Sequence, residues 1–577
     1  MERRGRFTVV EPLFERGPQV ALARGSIDLS PGDIALVDFG RGGARALRAL
    51  GSAERASDVV SAVLWDRGMR RGFAPELESD ARDAAVAADE APIARRDLTG
   101  LATFTVDPAT ARDFDDAVSA EVEGDGVRLW IHIADVSAHV RRDGPLDAEA
   151  LHRGTSTYVP GAVEPMLPPV LSDEACSLAP GVNRLAVTAE IVLDGDGRPR
   201  SASFYRSRIR SDARLNYDQL DEFFAGRAEP PPAVGDLLGL ARRAAAALAS
   251  RRPVGSLEIE SFEPEFEFNS DGAVIGARSV LQTEAHKLIE HLMILTNERV
   301  AELLQRRRVP TLYRVHEQPD PQRIARLVEQ LAALDLPTPP LPERLSPTGA
   351  GELAGEISRL VAREAARRGH GRDAYTSLVL RSLKQAYYSD RNLGHAGLGS
   401  LAYTHFTSPI RRYPDLVAHR ALLAAIGAGE DEPRPERVRE AGWRSSERER
   451  EAIAVERDAD RICAAFLLGR ELFEAGWKRS FEGEVSGVIG AGAFARFGGE
   501  LGDVYEGLLP ARLLRGERFD LNETETALVG RRSGRTVRLG DPITVRVDTI
   551  DAPRGRIDLV PVSQSDDHPR PHQPREP

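Results

Sequence analysis

Four aspartates fall within ten residues of this chain: Asp107, Asp113, Asp115 and Asp116, in the run Val106-Asp107-Pro108-Ala109-Thr110-Ala111-Arg112-Asp113-Phe114-Asp115-Asp116-Ala117. Carboxylates this close repel one another unless a cation sits among them. Hard divalent ions take oxygen ligands, and Mg²⁺ is typically held by one or two carboxylates together with substrate phosphates. A pair of metals about 3.5–4 Å apart can clamp both oxygens of a phosphoryl displacement. The run therefore points to metal-dependent phosphodiester chemistry. The bland alternative is a solvated turn, because Asp favours loops and caps for local reasons. An EF-hand loop is excluded, since its internal glycine and terminal glutamate are both missing.

Three further segments carry side chains suited to chemistry. Thr404-His405-Phe406-Thr407-Ser408-Pro409-Ile410-Arg411-Arg412-Tyr413-Pro414-Asp415-Leu416 places two arginines at a helix start, where the helix dipole disfavours them unless an anion is near. That anion is either a phosphate or a protein carboxylate such as Asp415. Thr157-Tyr158-Val159-Pro160-Gly161 sets a tyrosine before a turn, where packing is the bland alternative. Glu284-Ala285-His286-Lys287-Leu288-Ile289-Glu290 opens a helix with His286 and Glu290 on one face. No further ligand falls in register for zinc, and pairing of Glu with Lys inside the segment is the simpler reading.

The elements that must hold these residues follow from patterning. After the aspartates come Ala117 to Glu123, then Gly124-Asp125-Gly126, then Val127 to Ile133, in which Val127, Leu129, Ile131 and Ile133 alternate with Arg128, Trp130 and His132. This predicts strand, tight turn and strand, with the carboxylates on a loop entering a rigid hairpin. Residues 1–62 read as a small β domain with strands at 7–10, 20–23 and 34–39. Residues 63–94 read as a helical connector and 95–425 as an α+β region. A helical extension over 426–477 keeps Val455, Ala459, Ile462 and Phe466 at helical spacing. Residues 478–562 show short strands at 481–488, 493–497, 505–509, 536–539 and 543–550, which fit a small oligonucleotide-binding barrel. Phe494 and Phe497 flank Arg496 there as candidate base-stacking residues, the alternative being that one of them is core. Residues 563–577 read as a disordered tail. The fold class is thus multidomain α+β, a central catalytic domain flanked by small β-barrels.

Composition narrows the classes. The chain has 577 residues, 41% of them hydrophobic, which suffices for several buried cores. No apolar run is long enough for a transmembrane helix. The first residues, Met1-Glu2-Arg3-Arg4-Gly5-Arg6, carry no apolar stretch, so no secretory leader is expected. The two cysteines, Cys176 and Cys463, make no ligand pattern and read as free thiols of a cytoplasmic protein. A net charge of −12 argues against a general nucleic-acid coat protein but leaves room for an enzyme whose channel alone is basic. Lysines number three against an abundance of arginine, a residue suited to bidentate phosphate contact; a GC-rich genome is the simpler cause of that bias.

Together these segments resemble the RNB-domain exoribonucleases, the family of ribonuclease II and ribonuclease R, over about residues 95–562. The aspartate loop matches the family's catalytic loop in full spacing. Tyr158 to Gly161, Met166-Leu167-Pro168 and Leu171 to Leu178 resemble a second family block, and Glu284 to Glu290 and Tyr313-Arg314-Val315-His316 resemble others. His405 to Leu416 is closer to ribonuclease R than to ribonuclease II, and the C-terminal barrel is similar to the ribosomal-protein-S1 type. The resemblance implies 3′-to-5′ hydrolysis of single-stranded RNA to nucleoside 5′-monophosphates. It implies Mg²⁺, two ions with Mn²⁺ as a substitute, held by Asp107, Asp113, Asp115 and Asp116. Arg411 would contact the scissile phosphate and Tyr158 would stack on the terminal base. Glu290 and Arg412 would lie along the RNA path, and Glu456 aligns loosely with a further site glutamate. A monomer without membrane or small-molecule cofactor is expected. Three departures accompany this. The second aromatic of the terminal clamp falls at Ile259, with Phe262 three residues on. There is room for one N-terminal cold-shock barrel rather than two, and no lysine-rich tail. A catalytically silent RNA-binding regulator on the same fold is the alternative, disfavoured because all four aspartates and Arg411 are present.

Overall fold

The computed structural model describes residues 2–4, 7–15, 17–23, 27, 29–40, 43–69, 72–252, 257, 263–498, 504–514 and 517–562. Ile259 and Phe262 of the expected clamp, and residues 563–577, lie outside the described residues.

The hairpin after the aspartates forms as its alternation predicts. Strands Asp116–Glu123 and Gly126–Ala134 pair in antiparallel register from Asp116↔Ile133 to Glu123↔Gly126. Gly124 takes φ +58°, a conformation glycine adopts without a Cβ penalty. The hairpin is the middle of a seven-stranded mixed sheet, in the order Ala213–Leu215, Phe104–Val106, Asp116–Glu123, Gly126–Ala134, Asn183–Leu193, Pro199–Arg210, Arg96–Asp97. Leu129, Ile131 and Ile133 face one core, shared with helices Gly235–Ser250, Glu284–Arg307 and Tyr413–Ala425. Around His132 the other face is not solvated. His132 is fully buried between Ser119 (3.1 Å) and Thr188 (2.9 Å), and burial pulls its pKa down to about 3. A hydroxyl-lined polar layer thus replaces water on the face that alternation marks as polar.

The C-terminal barrel is closed, but by a different fifth strand. Its strands are Ser480–Ile489, Gly492–Phe497, Tyr505–Pro510, Arg556–Pro561 and Pro542–Asp551. The expected strand at 536–539 belongs instead to a separate sheet, as Thr536–Arg538 beside Ala527–Gly530 and Phe519–Leu521. In Arg556–Pro561 the buried residues Ile557 and Leu559 alternate with charged Arg556 and Asp558, so one face seals the barrel. Barrel, long helix Pro435–Ala475 and helix Ala56–Asp66 share one core, in which Val455, Ala459, Ile462 and Cys463 are buried. A third helical layer, Pro321–Ala333, Pro347–Arg368 and Arg372–Ser382, packs around Tyr375.

At the N-terminal end, strands Glu2–Arg4, Phe7–Val10 and Val20–Ala21 form one small sheet, and Asp33–Gly40 pairs with Gly43–Ser52. The last strand carries Arg45 and Arg48 and has no apolar run to signal it. The first connector helix, Ala56–Asp66, begins before the expected boundary at residue 62, and a second follows at Pro75–Glu90. No helix among the described residues is long and apolar enough to cross a membrane.

Candidate active site

The aspartate loop leaves the sheet at Val106 and re-enters it at Asp116. Its second half is held from behind. The Ser177 hydroxyl donates to the carbonyl of Arg112 (2.6 Å) and accepts from the Phe114 amide (3.1 Å), and the Leu178 amide donates to the Phe114 carbonyl (2.9 Å). From the front, the Ile410 amide donates to Asp115 Oδ1 at 2.8 Å, and Arg411 Nε lies 3.4 Å from Asp115 Oδ2. The arginine segment and the aspartate loop, some 300 residues apart, are therefore one unit.

Three of the four carboxylates are electrostatically unsettled. Asp107 Oδ2, Asp115 Oδ2 and Asp116 Oδ2 are buried with no hydrogen-bond donor. Burial raises the pKa of Asp107 well above the usual carboxylate range, and the charges of Asp116 and Asp113 add to it against Arg214 and Arg411. Burial likewise raises Asp115, opposed by Arg411 and the Ile410 amide. Asp116 is pushed up to about 7 by burial, with Arg411 and Arg412 opposing. An all-oxygen donor set that is buried, mutually repelling and short of donors suits a hard cation. Among the described residues, no three carboxylate, imidazole or thiolate groups converge into a ready-made ligand cluster.

The loop lines a cavity of about 3110 Å³. Asp107, Asp113, Asp115, Asp116, Arg411, Arg412, Tyr158, Glu290, Glu456 and Phe494 all line it, so residues from six separated segments meet in one space. Tyr158 stands on the hairpin Thr157–Val159/Ala162–Glu164, whose turn is Pro160-Gly161 with Gly161 at φ +79°. Its hydroxyl donates to Asp113 Oδ2 at 2.6 Å, and its amide donates to Glu456 Oε1 at 2.9 Å. Glu456, aligned only loosely in the sequence, thus holds the backbone of the tyrosine. The Ser156 amide donates to the Arg411 carbonyl at 2.9 Å, tying this hairpin to the arginine segment.

Two expectations need correction. Phe497 is fully buried in the barrel core against Phe481 and Tyr505 and is not a contact residue. The reason is parity: residues three apart on a strand face opposite sides, so Phe494 turns to the cavity while Ala493, Ala495 and Phe497 turn inward. In the segment from Glu284, the Glu284 carboxylate is held not by a lysine but by Arg242, at 2.6 Å. For Arg412 the carboxylate alternative holds: it pairs with Asp415 at 2.7 Å, whereas Arg411, with nearly half its side chain exposed, faces the cavity. Glu290 is exposed on the cavity wall.

Sequence reasoning missed Tyr217 and His405. Tyr217 lines the cavity stacked on His286, with ring centroids 3.8 Å apart. His405 lines it with Nδ1 2.8 Å from the Tyr388 hydroxyl. The Asn216–Gln219 capping box marks a helix start at Tyr217, but nothing local says that this start faces the aspartates.

Residues 95–428 match the RNB domain family. The chain belongs to the RNB-domain family. It is 36% identical to ribonuclease R of Escherichia coli over 495 residues, covering 82% of this chain and 58% of that protein. It is 35% identical to ribonuclease R of Aquifex aeolicus, covering 82% of this chain and 66% of that one. The chain thus spans a little over half to two thirds of the length of these relatives. The fold is similar to that of Mycoplasma genitalium RNase R in complex with ribose-methylated single-stranded RNA, with a TM-score of 0.85 at 26% identity over 96% of this chain and 89% of that one. The RNB domain of this chain contains the aspartate loop, Tyr158, Glu290 and Arg411, while Glu456 and Phe494 come from the long helix and the barrel that follow it.

Proposed function

We propose that this chain is an exoribonuclease that hydrolyses single-stranded RNA from its 3′ end and releases nucleoside 5′-monophosphates with Mg²⁺. The observation that carries the reading is the set of buried, donor-less carboxylate oxygens of Asp107, Asp115 and Asp116 on the wall of a large cavity, beside a half-exposed arginine. The RNA-bound M. genitalium relative supports RNA as the ligand.

Asp107, Asp113, Asp115 and Asp116 would hold the cation. When bound, Mg²⁺ supplies charge that stabilises phosphoryl oxygens and makes water a better nucleophile. The protein's own groups do the rest. Arg411 stands against Asp115 and Ser408 with nearly half its side chain exposed, suited to meet the scissile phosphate and stabilise charge developing on its oxygens. Tyr158, anchored through Asp113 and Glu456, offers its ring to the terminal base. Phe494 offers a further stacking surface from the barrel, and Glu290 stands along the strand's path. RNA would be told from DNA through its 2′-hydroxyls. The two buried free thiols suit a reducing compartment.

The test is a time course on 5′-labelled single-stranded RNA with Mg²⁺, with EDTA, and beside a DNA of the same sequence. The reading predicts a ladder shortening from the 3′ end, on RNA only and with Mg²⁺ only. RNA bound by folded protein but left uncut in Mg²⁺ would contradict it.

A further inference from the structure

The first half of the aspartate loop has its own support. Strand Ala213–Leu215 runs parallel to Phe104–Val106, with Arg214 opposite Thr105 and Leu215 opposite Val106. The Asp107 amide donates to the Leu215 carbonyl at 3.2 Å. One residue back, Arg214 Nη2 donates to two successive loop carbonyls, Pro108 and Ala109, both at 2.8 Å. Its guanidinium carbon lies 5.4 Å from the ring centre of Phe114, in the other half of the loop. A single side chain therefore grips both limbs between Asp107 and Asp115.

We propose that Arg214 is a positioning residue that sets the spacing of Asp107 from Asp113, Asp115 and Asp116, and through it the affinity of the loop for a divalent cation. The inference rests on the reading of these aspartates as cation ligands. The division of labour is visible in the contacts. Ser177 and Leu178 fix the carbonyls of Arg112 and Phe114, and Ile410 fixes the Asp115 side chain. The stretch from Pro108 to Ala109 is bridged by Arg214. Proline cannot donate at 108, so the loop here is held through its carbonyls, both of which accept from the one nitrogen Nη2, while the planar head of the same side chain lies near Phe114. Groups that orient ligands from behind typically change metal affinity about 10–100-fold when removed.

The experiment is direct Mn²⁺ binding to the full chain without RNA, followed by electron paramagnetic resonance, for wild type, Arg214→Gln and Arg214→Lys. Steady-state cleavage of single-stranded RNA is measured alongside. Arg214→Gln is expected to weaken Mn²⁺ binding about tenfold or more and to lower kcat, with KM for RNA within about twofold of wild type. Arg214→Lys keeps the charge and the apolar stem but is shorter and lacks the planar head that lies near Phe114, and it is expected to remain weakened; it carries the same test if the glutamine variant does not fold. Wild-type Mn²⁺ affinity in both variants, or a raised KM with unchanged Mn²⁺ affinity, would overturn the proposal. If wild type binds Mn²⁺ but cleaves no RNA, the exoribonuclease reading fails while the Mn²⁺ comparison still decides the role of Arg214.

Discussion

Asp116 opens the first strand of the hairpin and Asp135 follows the second, so both stand at its open end, yet they are treated in opposite ways. Asp135, just after strand Gly126–Ala134, is fully buried, as are its partners Arg206 and, nearly so, Arg95. Arg95 Nη1 lies 2.8 Å from Asp135 Oδ2, Arg206 bonds the same oxygen, and the Ser137 hydroxyl donates to Oδ1 at 2.7 Å. Burial alone would raise its pKa, but the two guanidiniums hold it well below the ordinary carboxylate range. Asp116 meets the same desolvation without a direct cationic partner, and one of its oxygens has no donor. A buried carboxylate that serves structure carries its counterions within the fold. One whose counterions are missing is arranged for something that arrives.

Mutations at the two positions should separate accordingly. Asp135→Asn should lower unfolding free energy by about 3–5 kcal/mol, because it takes the shared carboxylate from two buried guanidiniums and leaves Arg206 only the more distant Glu430, at 3.5 Å, among its ion pairs in the described residues. Asp116→Asn should leave metal-free stability unchanged or raise it, because it removes an uncompensated charge. Denaturant titration of both variants checks the contrast, and equal losses would break it. The barrel offers a second pair: Phe497→Ala should cost about 3–5 kcal/mol of stability, whereas Phe494→Ala should spare stability and weaken RNA binding, read by melting and by RNA titration. Mg²⁺ at about a hundred times its dissociation constant should stabilise the wild type by about 2.7 kcal/mol. Asp116→Asn should lose most of that gain and Asp135→Asn should keep it, as thermal melts with Mg²⁺ and EDTA would register. Smallest of all, Tyr158→Ala should remove about 1–3 kcal/mol of stacking on the terminal base, changing the length of the final product more than the initial rate. An identical product ladder would remove the tyrosine from the clamp.

Much of this comparison was legible in the residue order. The aspartate spacing and the alternating hairpin after it are local signals, and local signals survive folding. The double arginine announced an anion, though only the structure divides it into Asp415 for Arg412 and Asp115 for Arg411. Strand parity already separates Phe494 from Phe497, and it shows which of the two is core only once the barrel's inside is known. What could not be read is contact at long range. Ser177 supports the loop from 65 residues away, as measured to Arg112, and Arg214 from 106, as measured to Pro108. Tyr217 reaches the cavity because a sheet-edge strand ends beside Asp107. The burial of His132 is not visible in the alternation, because a layer of hydroxyls leaves no mark in hydrophobic periodicity.

The most direct test of the central claim, that the loop aspartates perform the chemistry while other surfaces hold the RNA, is Asp115→Asn assayed for binding and cleavage in parallel. The amide oxygen can still accept from Ile410, so the loop should keep its shape. The account predicts RNA affinity close to that of wild type, with cleavage slowed about 10³-fold or more. Cleavage at the wild-type rate, or cleavage and binding lost together in a folded protein, would contradict it.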